Sequence, residues 1–326
     1  MKIGLWSDNV NFPSLPLMKL SAWHKQQGDE VELLQPLGSY DKVYLSKTFN
    51  LPSIKKIPQM PPLFYAKEVV KGGTGWAIRL ENGKEKFDKT QHYDLPHEIE
   101  HIYPDYGLYP EFKNTAYGFL TRGCDNNCGF CIVCQKEGLQ SVKVADLSEF
   151  WRGQKNICLL DPNLLGCPDR VDLLNQLIDS GAKVDFNQGL DARKIDDEIA
   201  GLLCKINIKM VHFALDLPKN KDKVIAGIST FLRYYTGNRR KIRCYVLTNY
   251  NTTLEQDWDR VKSLIDIGIH PDVRIYQKGT QPRFITDLAR WCNNPILFYA
   301  TPFANYVPMK DGKSCGELYK DILEGK

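Results

Sequence analysis

Beyond about residue 114 the apolar positions of this chain settle into a regular alternation of short apolar runs and stretches of helical period. Asn114–Leu120, Ile157–Leu160, Lys183–Phe186, Lys209–Leu215, Ile242–Leu247 and Val273–Tyr276 read as strands. The intervening stretches carry one apolar face each. After Pro168 the face is Val171, Leu174, Leu177 and Ile178; the next is Ile195, Ile199, Leu202 and Ile206. Then come Val224, Ile228, Phe231 and Tyr235, then Leu254, Trp258, Val261 and Ile265, and after Pro282 Phe284, Leu288 and Trp291. Asp146-Leu147-Ser148-Glu149 and Thr252-x-x-Glu255 have the spacing of capping boxes. Strand–helix units in succession imply a parallel sheet with helices outside. The strands end in polar residues: Asp161-Pro162-Asn163, the run from Asn187 and Gln188 to Asp191 and Arg193, Asp216, and Thr248-Asn249. That is the carboxyl edge, where α/β barrels put their chemistry.

The first hundred residues follow a different rhythm. Lys2–Trp6, Val31–Leu34 and Val43–Leu45 read as short strands, and Pro16 opens a helix through Leu17, Leu20 and Trp23 that stops at Gly28. Residues 52–62 hold four prolines and read as a loop. Val69-Val70-Lys71-Gly72-Gly73-Thr74-Gly75 is a strand meeting a Gly-rich turn; without the Lys-Ser/Thr of a P-loop it is read as a turn. Trp76–Leu80 and Lys84–Phe87 make a hairpin through Asn82-Gly83. His97-Glu98-Ile99-Glu100-His101 matches the H-E-x-x-H zinc pattern, but Pro96 and Pro104 leave barely two turns and no third ligand follows, so a short solvated helix is expected. Residues 304–326 read as a tail with a short helix around Leu318 and one isolated Cys315. The division expected is a small α/β domain with linker over 1–104, a larger α/β domain over 105–303, and the tail.

Composition narrows the setting. The 326 residues are 43% hydrophobic and 25% charged with formal net charge +4, an ordinary globular balance that demands neither nucleic acid nor a membrane surface. No apolar run reaches the roughly 20 residues that span a bilayer. Polar residues follow Trp6 at once, where a secretory h-region would continue, so a reducing cytoplasm is the expected setting for the ten cysteines. Gly237–Arg243 is the one basic run; a solvated helix end is expected there, and RNA contact is the alternative.

Four cysteines fall within eleven residues, Cys124, Cys128, Cys131 and Cys134, spaced C-x3-C-x2-C-x2-C. Thiolates this close can converge on one centre. Structural zinc uses two knuckles across a longer insert, and no second knuckle follows. The bacterial ferredoxin run is C-x2-C-x2-C-x3-C-P; here the order is reversed and no proline follows Cys134. The other cysteines lack paired spacing, so no auxiliary cluster is read.

The first three cysteines, with aromatic Phe130 directly before the third, resemble the signature of radical S-adenosylmethionine (SAM) enzymes. The resemblance covers residues 114–300 and implies a partial (β/α)6 TIM-like barrel. It also implies a [4Fe–4S] cluster on Cys124, Cys128 and Cys131 with one iron open to SAM. In that family a one-electron donor such as flavodoxin or ferredoxin reduces the cluster, SAM is cleaved, and a 5′-deoxyadenosyl radical abstracts hydrogen from substrate, in an oxygen-sensitive reaction. Phe130 would lie near adenine. The family's Gly-Gly-Glu-like stretch is replaced by Asp161-Pro162-Asn163, where Asp161 or Asn163 could take over the contact to the SAM amino group. Arg193 suits a carboxylate, Asn187 or Asp191 suits ribose hydroxyls, and Gln188 and Asp216 complete the cofactor-binding candidates. The segment ahead of the cluster resembles the Rossmann-like cobalamin-binding domain of one branch, but only Asp8 of its D-x-H-x-x-G motif is present; bound cobalamin is not expected. A four-cysteine electron carrier or sensor, an RNA-modifying member and a zinc hydrolase on His97 and His101 are the alternatives. The sequence does not name a substrate.

Overall fold

The computed structural model describes residues 1–9, 11–48, 60–81, 84–91, 94–308 and 312–325. The expected Asn82-Gly83 turn, most of the proline-rich loop and Val10 lie outside the described residues. The chain divides into two compact units, Met1–Cys158 and Leu159–Lys326.

In the first unit β1 (Lys2–Ser7), α1 (Leu15–Gln26), β2 (Glu30–Leu33), β3 (Ser39–Ser46) and β4 (Tyr65–Gly72) follow in order. The sheet runs β2-β1-β3-β4 with every neighbouring pair parallel. This is the beginning of a doubly wound order, whose direction of winding reverses between β1 and β3. Pro16 sits in the first turn of α1, which buries Leu17, Met18 and Leu20. Trp6, Leu34, Tyr40, Val43 and Leu45 form a core against which Phe64, Ala66 and Trp76 pack. Asp8 stands at the switch point, fully buried; its carboxylate accepts the Thr48 N–H at 2.9 Å and its own N–H donates to Ser46 O.

The stretch expected to be the first hairpin strand begins as a helical turn, α2 (Thr74–Ala77), and only β5 (Ile78–Glu81) pairs antiparallel with β6 (Lys84–Phe87). The turn forms where the Gly75 N–H reaches back to Lys47 O. After α3 (His97–Glu100) comes β7 (Thr115–Gly118), shorter than the expected Asn114–Leu120. Tyr106 fixes it: its hydroxyl accepts the Tyr117 N–H at 3.1 Å and donates to Phe150 O at 2.8 Å. The chain resumes extended structure as β8 (Thr121–Arg122), continues through α4 (Val133–Glu137) and returns as β9 (Val142–Lys143) antiparallel to β8. The Asp146 capping box is present, on a single 3₁₀ turn. β10 (Asn156–Leu159) ends the unit.

The second unit contains α5 (Arg170–Ser180), β11 (Lys183–Leu190), α6 (Asp197–Lys205), β12 (Ile208–Ala214), α7 (Lys221–Tyr234), β13 (Ile242–Thr248), α8 (Leu254–Asp266), β14 (His270–Ile275), α9 (Arg283–Cys292), α10 (Pro295–Ala300), α11 (Cys315–Leu318) and α12 (Lys320–Glu324). A six-stranded parallel sheet runs β14-β13-β12-β11-β10-β7, so the expected α/β class holds. One face of its β11–β14 part is mainly apolar: Val184, Phe186, Val211, Phe213, Cys244, Val246 and Val273 are buried on alternate positions. Several boundaries differ from expectation; β14 starts at His270, ahead of the expected Val273. β11 runs on through Asn187–Leu190 by way of bulges, and α8 is capped by Thr253 with Gln256, one residue beyond the expected box. Thr252 instead donates its hydroxyl to Asp257 at 2.8 Å.

The expected tail is packed structure. Phe303, Tyr306 and Cys315 are buried, Trp291 donates to Thr301 O at 2.7 Å, and Tyr319 donates to Asp287 at 2.7 Å. Aromatic residues spaced among the prolines supply the apolar area that docks it. Among the described residues no helix is long and apolar enough to cross a membrane.

Candidate metal centre and strand-tip residues

The cysteine stretch is a loop held at its base. β8 and β9 pair through Thr121 with Lys143 and Arg122 with Val142, the Cys124 N–H donates to Gly138 O at 3.2 Å, and the Gly138 N–H to Cys134 O at 3.2 Å. Glu137 completes the clamp. Its carboxylate pairs with Arg122 and Lys136 at 3.0 Å each and accepts the Gly123 N–H at 3.2 Å. Burial works against this charge, but Arg122, Lys136 and the Gly123 N–H outweigh it and hold the carboxyl below its usual value. Gly123 is obligatory here: its φ is +82°, and an added Cβ would lie 2.1 Å from Gln140 O.

All four thiols are half-buried and none is in a disulfide. They divide by secondary structure. Cys124, Cys128 and Cys131 lie in the loop proper, where the Cys131 N–H donates to Cys128 O at 2.9 Å and Asn127 takes the left-handed conformation (φ 42°) to turn the chain. Cys134 is inside α4, and its thiol donates to Cys124 O at 3.1 Å. Among the described residues no three or more His, Cys, Asp or Glu side chains converge on a single ion position. A cubane does not ask for that, since each thiolate binds a different iron. The three half-buried thiols lie on one clamped loop. Phe130 is half-buried between exposed Gly129 and Cys131.

In the second unit, Asp161 and Asn163 are both buried, directly after β10, and Asn163 precedes a 3₁₀ turn over Leu164–Gly166. Asn187 and Gln188 sit in the β11 bulge; the Asn187 carbonyl accepts the Tyr245 hydroxyl at 3.1 Å, and Gln188 is exposed. Asp191 and Arg193 form one unit, with the guanidinium forking onto the carboxylate at 2.8 and 2.7 Å. Asp216 lies under a different constraint. Its carboxylate accepts the Leu247 N–H at 3.2 Å, and burial pushes its pKa up to about 6, against that hydrogen bond and nearby Arg260.

Arg260 itself was not legible as a site residue. It is fully buried on α8, ion-paired with Asp257, and donates through Nη1 to Leu215 O, Asp216 O and Leu247 O at 3.0, 2.7 and 2.8 Å. It laces the ends of β12 and β13 to the helix. The signal was present in the pattern: Asp257 and Arg260 fall on the same helical face as Val261 and Leu264, where only a satisfied pair can be buried.

The zinc-pattern histidines have other company. His97 and His101 rings stand 4.5 Å apart, and His101 Nδ1 is 2.7 Å from Glu149. Cys315 is a buried thiol pushed up to about 12 by desolvation. Comparison with known proteins adds no assignment: no protein-family model matches the chain, and a search of curated proteins returns no match.

Proposed function

We propose that this chain is a radical SAM enzyme, binding a [4Fe–4S] cluster through Cys124, Cys128 and Cys131. The observation that carries the reading is the division of the cysteines, three on a loop clamped at its base and the fourth built into α4 with its thiol engaged by the Cys124 carbonyl. A three-thiolate set is one ligand short of a closed cluster, which suits a cofactor that completes it. The sequential strand order β7-β10-β11-β12-β13-β14 supports a partial barrel, because singly wound sheets are the ones that curl toward closure. When bound, cluster and SAM together supply a one-electron cleavage and a 5′-deoxyadenosyl radical for hydrogen abstraction from substrate, with flavodoxin or ferredoxin as electron source.

The chain's own residues do the positioning. Glu137 fixes the loop base, Phe130 offers a ring beside Cys131, and the polar groups of Asp161, Asn163, Asn187 and Gln188 are suited to holding amino and hydroxyl groups of the cofactor. Arg193 would act as a pair with Asp191, because its fork is already engaged. A closed four-cysteine carrier is the second reading, favoured only by the proximity of Cys134.

Anaerobic EPR of the reconstituted, dithionite-reduced protein tests the proposal. The expected result is a [4Fe–4S]⁺ signal that changes on adding SAM, retained in Cys134→Ala and absent in Cys124→Ala. A signal indifferent to SAM, and lost with Cys134 alone, would establish the carrier.

A further inference from the structure

The basic run expected at a helix end is placed differently. Between Asp222 and Glu255 the chain carries six cations and no acidic residue. Lys223 and Arg233 belong to α7, which ends at Tyr234. Arg239, Arg240 and Lys241 form a separate 3₁₀ turn, in which the Asn238 side chain accepts the Arg240 N–H at 2.9 Å, and Arg243 follows inside β13. The field of a helix dipole fades within its last turn, so it does not account for these four.

Elsewhere exposed cations find carboxylates: Lys67 with Asp41, Lys86 with Glu81, Arg233 with Asp197 and Arg274 with Asp272. Among the described residues these four find none. Lys241 donates to Ile208 O at 2.8 Å. Arg239 lies along the turn before β14, its Nη1 3.0 Å from where a Cβ on Gly268 would stand. Arg240 lies 5.0 Å over the ring of Tyr299. Arg243 reaches His270 Nε2 at 3.3 Å, but that nitrogen donates to Cys292 O at 2.8 Å and has no lone pair to offer.

These contacts gather the cations on one edge, where His270 stands beside Tyr299 with ring centroids 5.3 Å apart. Tyr299 belongs to α10, and from Trp291 to Met309 the chain carries no charged residue. Neither segment therefore brings a carboxylate to offset the four cations. α10 leaves Tyr299 49% and Ile296 80% exposed.

Unneutralised cations beside an exposed ring that already holds a guanidinium suit a single nucleic-acid strand, with phosphates on the cations and bases against the planar groups. A bilayer would find little apolar area, since Ile296 and Tyr299 are the exposed large apolar side chains of α10. A duplex would find no recognition helix on an edge built of a 3₁₀ turn and the six residues of α10. Unpaired bases are the ordinary state of RNA loops.

We propose that this edge binds single-stranded RNA, its phosphates held by Arg239, Arg240 and Arg243 and a base packed against the Arg240–Tyr299 pair. The inference goes beyond the enzymatic reading and does not rest on it, since the edge contains none of the candidate cluster or cofactor residues.

Fluorescence anisotropy of the full chain with labelled oligouridylate and oligoadenylate tests it. Single-stranded DNA of the same length, duplex RNA and polyglutamate serve as competitors, and sedimentation with phosphatidylserine–phosphatidylcholine vesicles covers the lipid surface. The expected result is binding of single-stranded RNA over all of these, weakening as salt rises. Replacing Arg239→Gln and Arg240→Gln together should cost about tenfold in affinity and lower the slope of log affinity against log salt by about one. Tyr299→Ala leaves every charge in place and should cost about tenfold with the slope unchanged. Thermal melts check that each variant is folded, and the exposure of Arg239 and Arg240 keeps their replacement clear of the core.

No RNA binding, or equal binding by the variants, would overturn the proposal. So would a loss confined to the arginine variant, which would leave only a counterion surface, or a competitor or vesicle bound as tightly as RNA. The two proposals fail separately. An EPR response to SAM without RNA binding leaves the enzyme reading intact, and RNA binding by a protein whose cluster ignores SAM leaves the interface standing.

Discussion

The cysteine loop and the β12–β13 strand tips solve opposite problems with polar residues. In the loop Glu137 with Arg122 and the backbone pairing hold the base, and Cys124, Cys128 and Cys131 follow one another along an otherwise irregular chain. At the strand tips, Arg260 is consumed by three carbonyls and Asp257, and Asp216 by the Leu247 N–H. The cysteines and Asp216 read from sequence as site candidates, and Arg260 did not. The difference teaches that a charged strand tip is as often a rivet as a ligand: a buried charge must first be satisfied by the protein, and what remains for a ligand is whatever the rivets leave over.

The comparison can be broken where the effect is largest. Arg260→Ala removes one partner of a buried pair and strips donors from three carbonyls, so a loss of about 3–5 kcal/mol is expected in chemical denaturation. A loss below about 1 kcal/mol, the range of exposed ion pairs, would show that the node is not a rivet.

Asp216 sharpens the contrast through pH. Its folded pKa, about 6, is above the ordinary aspartate value of 3.8, so the folded chain holds its proton more tightly than the unfolded one. That contribution is present in full below the unfolded value and is lost as pH rises through 6, by about 3 kcal/mol. The stability difference between the native chain and Asp216→Asn should therefore shrink against the native chain between about pH 4 and pH 6. A difference that is flat in pH would remove the assignment.

The smallest effect is expected at Glu137→Gln, about 1 kcal/mol, because the Gly123 N–H keeps an acceptor while the charge facing Arg122 is lost. Its sign with pH is the reverse of that of Asp216. The native advantage is present above the usual glutamate range and fades as pH falls, since the folded carboxyl titrates low. Iron content after reconstitution should fall with it if the base clamp positions the loop; unchanged iron would make Glu137 a matter of stability alone.

Legibility followed the range of the interaction. α5 through α9 and their sheet partners could be read because each was announced by its own apolar period, and errors were confined to edges such as Thr253 for Thr252. Thr74–Ala77 was misread because a Gly-rich turn and a hairpin strand share composition, and the Lys47 carbonyl that captures Gly75 is distant in sequence. The last residues were misread because Phe303, Tyr306 and Tyr319 are too widely spaced to show a period, although together they dock.

What the sequence determined by itself was the alternation of strands and helices and the cysteine spacing, since periodicity and short-range ligand geometry are local properties of the chain. Which polar groups are rivets and which stay open was decided only by tertiary structure. Asp191 and Arg193 close on each other, Asp216 is held by Leu247 from the next strand, and Gly189 is set opposite His212 by a bulge in the register. The Asp216 and Gly189 contacts join strands more than twenty residues apart, and the β11 bulge that carries Gly189 depends on its pairing with β12. No local pattern encodes such contacts.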